Sequence, residues 1–230
     1  MRVALAAALA LSACVSAQLQ ISPERATALE RELTGQRRWL KVSMFVTPFF
    51  GDSTHKLLTP VPPDEVRLLD DTAGKPISPG EVERVVPAGT PVRITKVEFP
   101  STMVMAQRLL YTPRTLAWVH VELPNARTVP LVVVLRPGLS GDEQVRVELA
   151  RALALEDPGP AIERFSDAVR EGVRTKSAVL EMSAEALEMA WGWPESKRLE
   201  LVGSSKKERW SWPNRRGATL VDGRVTELTP

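Results

Sequence analysis

The chain has 230 residues, 43% of them hydrophobic and 25% charged, with a net charge of +2. These values suit a globular protein with a buried core and exclude both a wholly disordered chain and a multi-span membrane protein. Nothing in so small a net charge points to nucleic acid, which calls for a concentrated basic face. The 19 prolines, about 8% of the chain, favour short strands and loops over a helix bundle.

Residues 1–17 read as a secretory signal region: Arg2, then an apolar run from Val3 to Ala13 too short to span a membrane permanently. Two processing readings compete. Val15-Ser16-Ala17 suits ordinary cleavage before Gln18 and predicts a soluble periplasmic or secreted protein. Leu11-Ser12-Ala13-Cys14 resembles the bacterial lipobox, which implies a mature start at an acylated Cys14. Cys14 is the only cysteine and so has no intramolecular disulfide partner. Acyl chains there would anchor the domain stably. The lipobox resemblance implies a membrane partner, and Val15 after the cysteine points to the outer membrane on its periplasmic face.

Residues 18–38 predict a helix opened by Ser22-Pro23-Glu24, with Ala26, Leu29 and Leu33 on one face and Gly35 at its end. Residues 39–137 predict a β-rich domain. Leu40, Val42, Met44 and Val46 alternate with partners of the other face, and Phe49-Phe50-Gly51-Asp52 ends that strand. Further strands are predicted at 66–69, 82–86, 92–99, 115–123 and 129–136, giving a small barrel or sandwich. Val85 to Ile94, with its Gly89-Thr90 turn, resembles a stretch of SH3-like bacterial envelope domains.

Residues 138–172 predict a helical connection. Ser140 and Glu143 have capping-box spacing, and Asp157-Pro158 opens a second helix carrying Ile162, Phe165 and Val169. Residues 173–230 predict a helix capped by Ser183 and stopped at Gly192, then an antiparallel sheet of three to four strands with a hairpin at Asp222-Gly223. The whole is α+β.

The last segment resembles the SmpA/OmlA family of small outer-membrane lipoproteins. The matching residues are Met182-Ser183, Glu185-Ala186, Gly192-Trp193-Pro194, Trp210-Ser211-Trp212 and Asp222-Gly223-Arg224-Val225. Glu181 stands where the family pattern has glycine. The resemblance covers about a quarter of the chain and implies a scaffold role in envelope assembly or maintenance, with an envelope protein as partner. β-Lactamase inhibitor proteins share this helix-plus-sheet unit, so a hydrolase inhibitor and a polymer- or ligand-binding module are the alternatives.

Four of the six tryptophans lie between 191 and 212. Packing of the helix on the sheet is one reading of them. The other is a binding patch, with Trp193, Arg209, Trp210 and Trp212 as its candidate residues, since tryptophan and arginine are enriched in binding hot spots. No catalytic motif, metal-ligand spacing or cofactor fingerprint stands out. His55 and His120 are 65 positions apart, and His120 reads as a strand residue. A site joining either one to a serine and an acid would favour a hydrolase. The basic runs Lys206-Lys207-Glu208-Arg209 and Arg215-Arg216 read as charged turns and strand edges.

Overall fold

The computed structural model describes residues 21–124, 129–202 and 205–229. The Arg25 amide donates to the Ser22 hydroxyl oxygen at 3.4 Å, and α1 (Pro23–Leu33) starts there. Its Leu29 and Leu33 are buried in the main core. Gly35 takes a φ of +86° and turns the chain into β1 (Arg37–Leu40).

The single strand expected from the 40–46 alternation is two, β1 and β2 (Met44–Phe49). Between them the backbone leaves the sheet: the Lys41 amide donates to the Ala152 carbonyl and the Ser43 amide to the Met189 carbonyl. The alternation survives this break, because Leu40, Val42, Met44 and Val46 all enter one core. β3 (Asp52–Thr59) has no counterpart among the strands expected from the sequence. It returns from a two-residue turn in which Phe50 and Gly51 both have positive φ, the geometry of the tightest hairpins. Its first half is polar, so no apolar alternation announces it.

No strand forms at 66–69. After a 3₁₀ turn at Pro63–Glu65, the chain runs as a cover over the sheet. Val66 is buried there, and Leu68, Leu69 and Ile77 pack on the same cluster, beside Phe49, Leu57, Trp118 and Val132. β4 (Arg84–Val86) and β5 (Pro91–Glu98) follow. They do not pair with each other: β4 pairs with β2 and β5 with β1. A short helix, α2 (Thr102–Gln107), then precedes β6 (Trp118–Glu122) and β7 (Leu131–Val134).

The helix α3 (Asp142–Ala152) buries Val145 and Leu149 in the main core and runs into β8 (Leu153–Ala154). No Ser140–Glu143 capping box forms. Gly141 occupies the N-cap, and the Ser140 amide donates instead to the Gln144 side chain at 2.8 Å. The eight strands form one mixed sheet in the order β4-β2-β3-β7-β6-β5-β1-β8, with β3 and β7 parallel. β4 and β8 are its two edges, so the sheet is open; of the small barrel or sandwich expected here, the closed barrel does not form.

The expected second helix is broken into α4 (Gly159–Ile162) and α5 (Asp167–Thr175). Next come α6 (Ala184–Trp191), capped by Ser183, and four strands: β9 (Ser196–Val202), β10 (Ser205–Ser211), β11 (Gly217–Val221) and β12 (Arg224–Thr229). These strands make a separate antiparallel sheet in the order β12-β11-β10-β9. Asp222 and Gly223 both have positive φ, which closes the last hairpin as the sequence predicts. Val169 and Val173 of α5 and Leu187 of α6 share a core with Leu220 and Val225.

Candidate partner-binding site

The two sheets meet along a seam that sets the geometry around Trp193. Ser43, fully buried, sits between the halves. Its hydroxyl donates to the Val173 carbonyl at 2.5 Å and accepts from the Ala88 amide at 2.9 Å. The Lys176 ammonium donates to the Ser43 carbonyl at 2.6 Å and to the Ala190 carbonyl at 2.8 Å. Burial pushes the Lys176 pKa down to about 7; the like charge of Arg216 adds to this and Glu65 opposes it. Arg216 itself donates to the Glu65 carboxylate at 2.7 Å across the seam, with its guanidinium 4.7 Å from the Trp191 ring centre. Burial raises the Glu65 pKa, while Arg216 pulls it back.

Trp193 lies where α6 ends. Gly192 turns the chain with a φ of +82°, and a Cβ there would come within 3.2 Å of the Pro60 side chain. A side chain at 192 would therefore strain the turn and press on the other half. The Trp193 ring that follows is 41% exposed and is ringed by cations. Lys197 lies 4.9 Å from the ring centre, Lys41 5.6 Å and Arg151 5.7 Å. Lys41 and Arg151 come from the large-sheet half and Lys197 from β9. Lys197 pairs with Glu188 and Arg151 with Glu148. Among the described residues, Lys41 has no carboxylate partner. The arrangement offers an apolar face with positive charge at its rim, suited to a protein surface that brings an apolar side chain beside a carboxylate.

The other candidate residues separate. Trp210 and Trp212 are buried, Trp212 with only 2% exposure. Trp212 packs edge-on against Trp191 with centroids 5.1 Å apart, and its indole donates to the Gly192 carbonyl. Both indoles pack α6 against the small sheet, so the surface role considered for them is replaced by a core role. Arg209 is exposed on β10, 3.8 Å from Glu200. The candidate binding patch therefore reduces to Trp193 and its cations, and sequence reasoning missed Lys41 and Arg151 because they reach it from the large-sheet half, Lys41 from the β1–β2 connection and Arg151 from α3.

The structure also brings together the two histidines, whose ring centres are 5.3 Å apart. His120 follows Trp118 by two positions on β6, which the sequence reveals; His55 lies on β3, which it does not. Each imidazole has its own acid. His55 Nδ1 is 2.8 Å from Asp52, and His120 Nε2 is 3.2 Å from Glu98. The hydrogen bond from His120 holds the Glu98 carboxyl well below the usual range, with Lys96 and Arg108 adding to it and burial opposing. Thr54 Oγ1 lies 3.0 Å from His55 Nδ1, the same nitrogen that faces Asp52. A nucleophile–base–acid relay needs the two ring nitrogens on opposite partners, so this trio is a turn motif at the start of β3 and not a triad. Among the described residues no group of three or more histidine, cysteine, aspartate or glutamate side chains is placed to hold a metal ion.

Cys14 lies outside the described residues. Among the described residues no helix is long and apolar enough to cross a membrane. Comparison with family models, curated proteins and solved structures found no match for this chain.

Proposed function

We propose that this chain is a cell-envelope lipoprotein, anchored through acylated Cys14 at the periplasmic face of the outer membrane, with a non-catalytic scaffold or binding role in envelope assembly or maintenance. The observation that carries the binding role is Trp193, an indole exposed at a hydrogen-bonded seam and surrounded by three cations from both halves. Its partner is an envelope protein. The anchor rests on the Leu11-Ser12-Ala13-Cys14 pattern.

The SmpA/OmlA reading of residues 173–230 belongs to this proposal. It draws support from Glu181, which has a φ of +66° where the family pattern has glycine, the residue that region of the backbone favours. The SH3-like reading of residues 39–137 is supported by the Pro87–Thr90 turn, whose Gly89 has a φ of +82° and which leads directly into β5. The alternatives have less behind them. A polymer site built on the aromatic cluster of the β-rich region would need Phe49 and Trp118 accessible, and both are buried beneath the 66–77 cover. An inhibitor that used the tryptophans of its sheet would need Trp210 and Trp212 exposed, and both are buried.

The test is photo-crosslinking in intact bacteria from a benzoylphenylalanine placed at position 193, compared with the exposed position 227. A discrete protein adduct formed from 193 and absent from 227 is expected. No adduct from 193, or the same adducts from both positions, would remove the binding role.

A further inference from the structure

The 19 residues between β5 and β6 (99–117) leave the sheet and return to the adjacent strand. Their core-facing side is firmly held. The Arg108 guanidinium donates to the Glu98 carbonyl and carboxylate at the start of the excursion, and to the Arg114 and Leu116 carbonyls at its end. It also lies 3.7 Å from the Trp118 ring centre. The Trp118 indole donates to the Pro113 carbonyl, and buried Thr112 closes the tip by donating to the Leu109 carbonyl at 2.8 Å.

The other side is apolar and uncovered. No residue of α2 is buried. Met103 is 70% exposed, Leu110 63% and Tyr111 73%, with Leu109 also exposed. A pinned backbone that holds four large apolar side chains in water costs solvation free energy with no return inside the fold. The segment contains no acidic residue and two arginines.

The position of the chain start says what covers this surface. Ile21 lines a groove of about 660 Å³ together with Val104 and Met105 of α2. Six residues lie between Cys14 and Ile21, so the seven steps of chain reach at most about 24 Å when fully extended. An acyl chain on Cys14 would therefore hold the α2 side of the protein close to the lipid surface. Leu, Met and Tyr side chains are suited to the boundary between headgroups and acyl chains, where tyrosine is enriched. We propose that the 99–117 excursion is a membrane-contact finger, with Leu110 and Tyr111 at its tip entering the bilayer interface and α2 lying on it. This rests on the lipid-anchor reading above. It adds a fixed orientation: the finger side faces lipid.

The test uses the full chain with its own N-terminus, carrying Leu110→Cys or, as a control, Leu201→Cys. The introduced thiol is the only free one whether Cys14 is acylated or removed with the signal. Each is labelled with a nitroxide and placed on vesicles of phosphatidylethanolamine with a minority of phosphatidylglycerol. Electron paramagnetic resonance reads the label's accessibility to oxygen relative to a water-soluble nickel chelate, and intact mass reads the state of Cys14 in the same sample. The expected result is a several-fold rise in that ratio at position 110 and none at 201, on an acylated chain. An acylated chain whose label at 110 stays in water overturns the finger and leaves the anchor standing. An unacylated chain with an immersed label sinks the anchor and keeps the finger, whereas an unacylated chain with a water-exposed label sinks both. A label exposed on vesicles but shielded in whole envelopes assigns the surface to a protein partner and overturns the bilayer assignment.

Discussion

The Lys176 ammonium donates to the Ser43 carbonyl oxygen at 2.6 Å, joining residues 133 positions apart across the seam between the two sheets. A cation so deeply buried makes stability depend on pH. Unfolded, the lysine keeps its proton up to the ordinary value of 10.5; folded, it releases it near 7. Between those values the unfolded chain binds a proton that the folded chain does not, so stability rises with pH across this window. Lys176→Met is predicted to flatten that rise, read as urea unfolding midpoints at pH values from about 7 to 10. An unchanged slope in the variant would assign the dependence elsewhere.

Arg216→Ala should be the most damaging change at the seam. It leaves the Glu65 carboxylate buried without its partner, and losing one member of a buried pair costs about 3–5 kcal/mol. The double variant Arg216→Ala with Glu65→Gln should recover part of that loss, because no uncompensated charge remains. Chemical denaturation of both variants decides this. A double variant less stable than the sum of the two single changes would argue against burial of the carboxylate as the cause.

Glu181→Gly is predicted to leave stability unchanged or raise it by about 1 kcal/mol. Left-handed backbone costs an ordinary residue about 1–2 kcal/mol, while glycine returns roughly 0.5–1 kcal/mol of that as unfolded-state freedom. A thermal unfolding scan reads the difference. Marked destabilisation would mean that the Glu181 side chain contributes more than its exposed position shows.

Trp193→Ala should separate binding from folding. The ring is partly exposed, so the expected stability change is within about 1 kcal/mol. Loss of a tryptophan hot spot weakens a complex by about 2 kcal/mol or more, roughly thirtyfold in affinity. The measurement is recovery of the proposed envelope partner by the variant at equal abundance. Undiminished recovery would place the interface elsewhere.

What the sequence reveals follows the range of the interactions. Asp222-Gly223 announces its hairpin because only residues that tolerate positive φ close a two-residue turn. Ser183 announces α6 because a hydroxyl is needed where the first helical amides lack partners. Trp210 and Trp212 share a face by strand period, but which face is buried depends on α5 and α6 packing there. β3 is hidden because Asp52, Ser53, Thr54, His55 and Lys56 carry no apolar alternation, and with it the approach of His55 to His120 is hidden. The cations around Trp193 come from three separate places in the chain, so no local pattern could gather them.

The central claim is tested most directly by the intact mass of the mature chain, taken separately from membrane and soluble fractions of its native host. A chain beginning at Cys14 with added diacylglycerol and acyl mass, found in the membrane fraction, is the predicted result. An unmodified chain beginning at Gln18 in the soluble fraction would contradict the lipoprotein account.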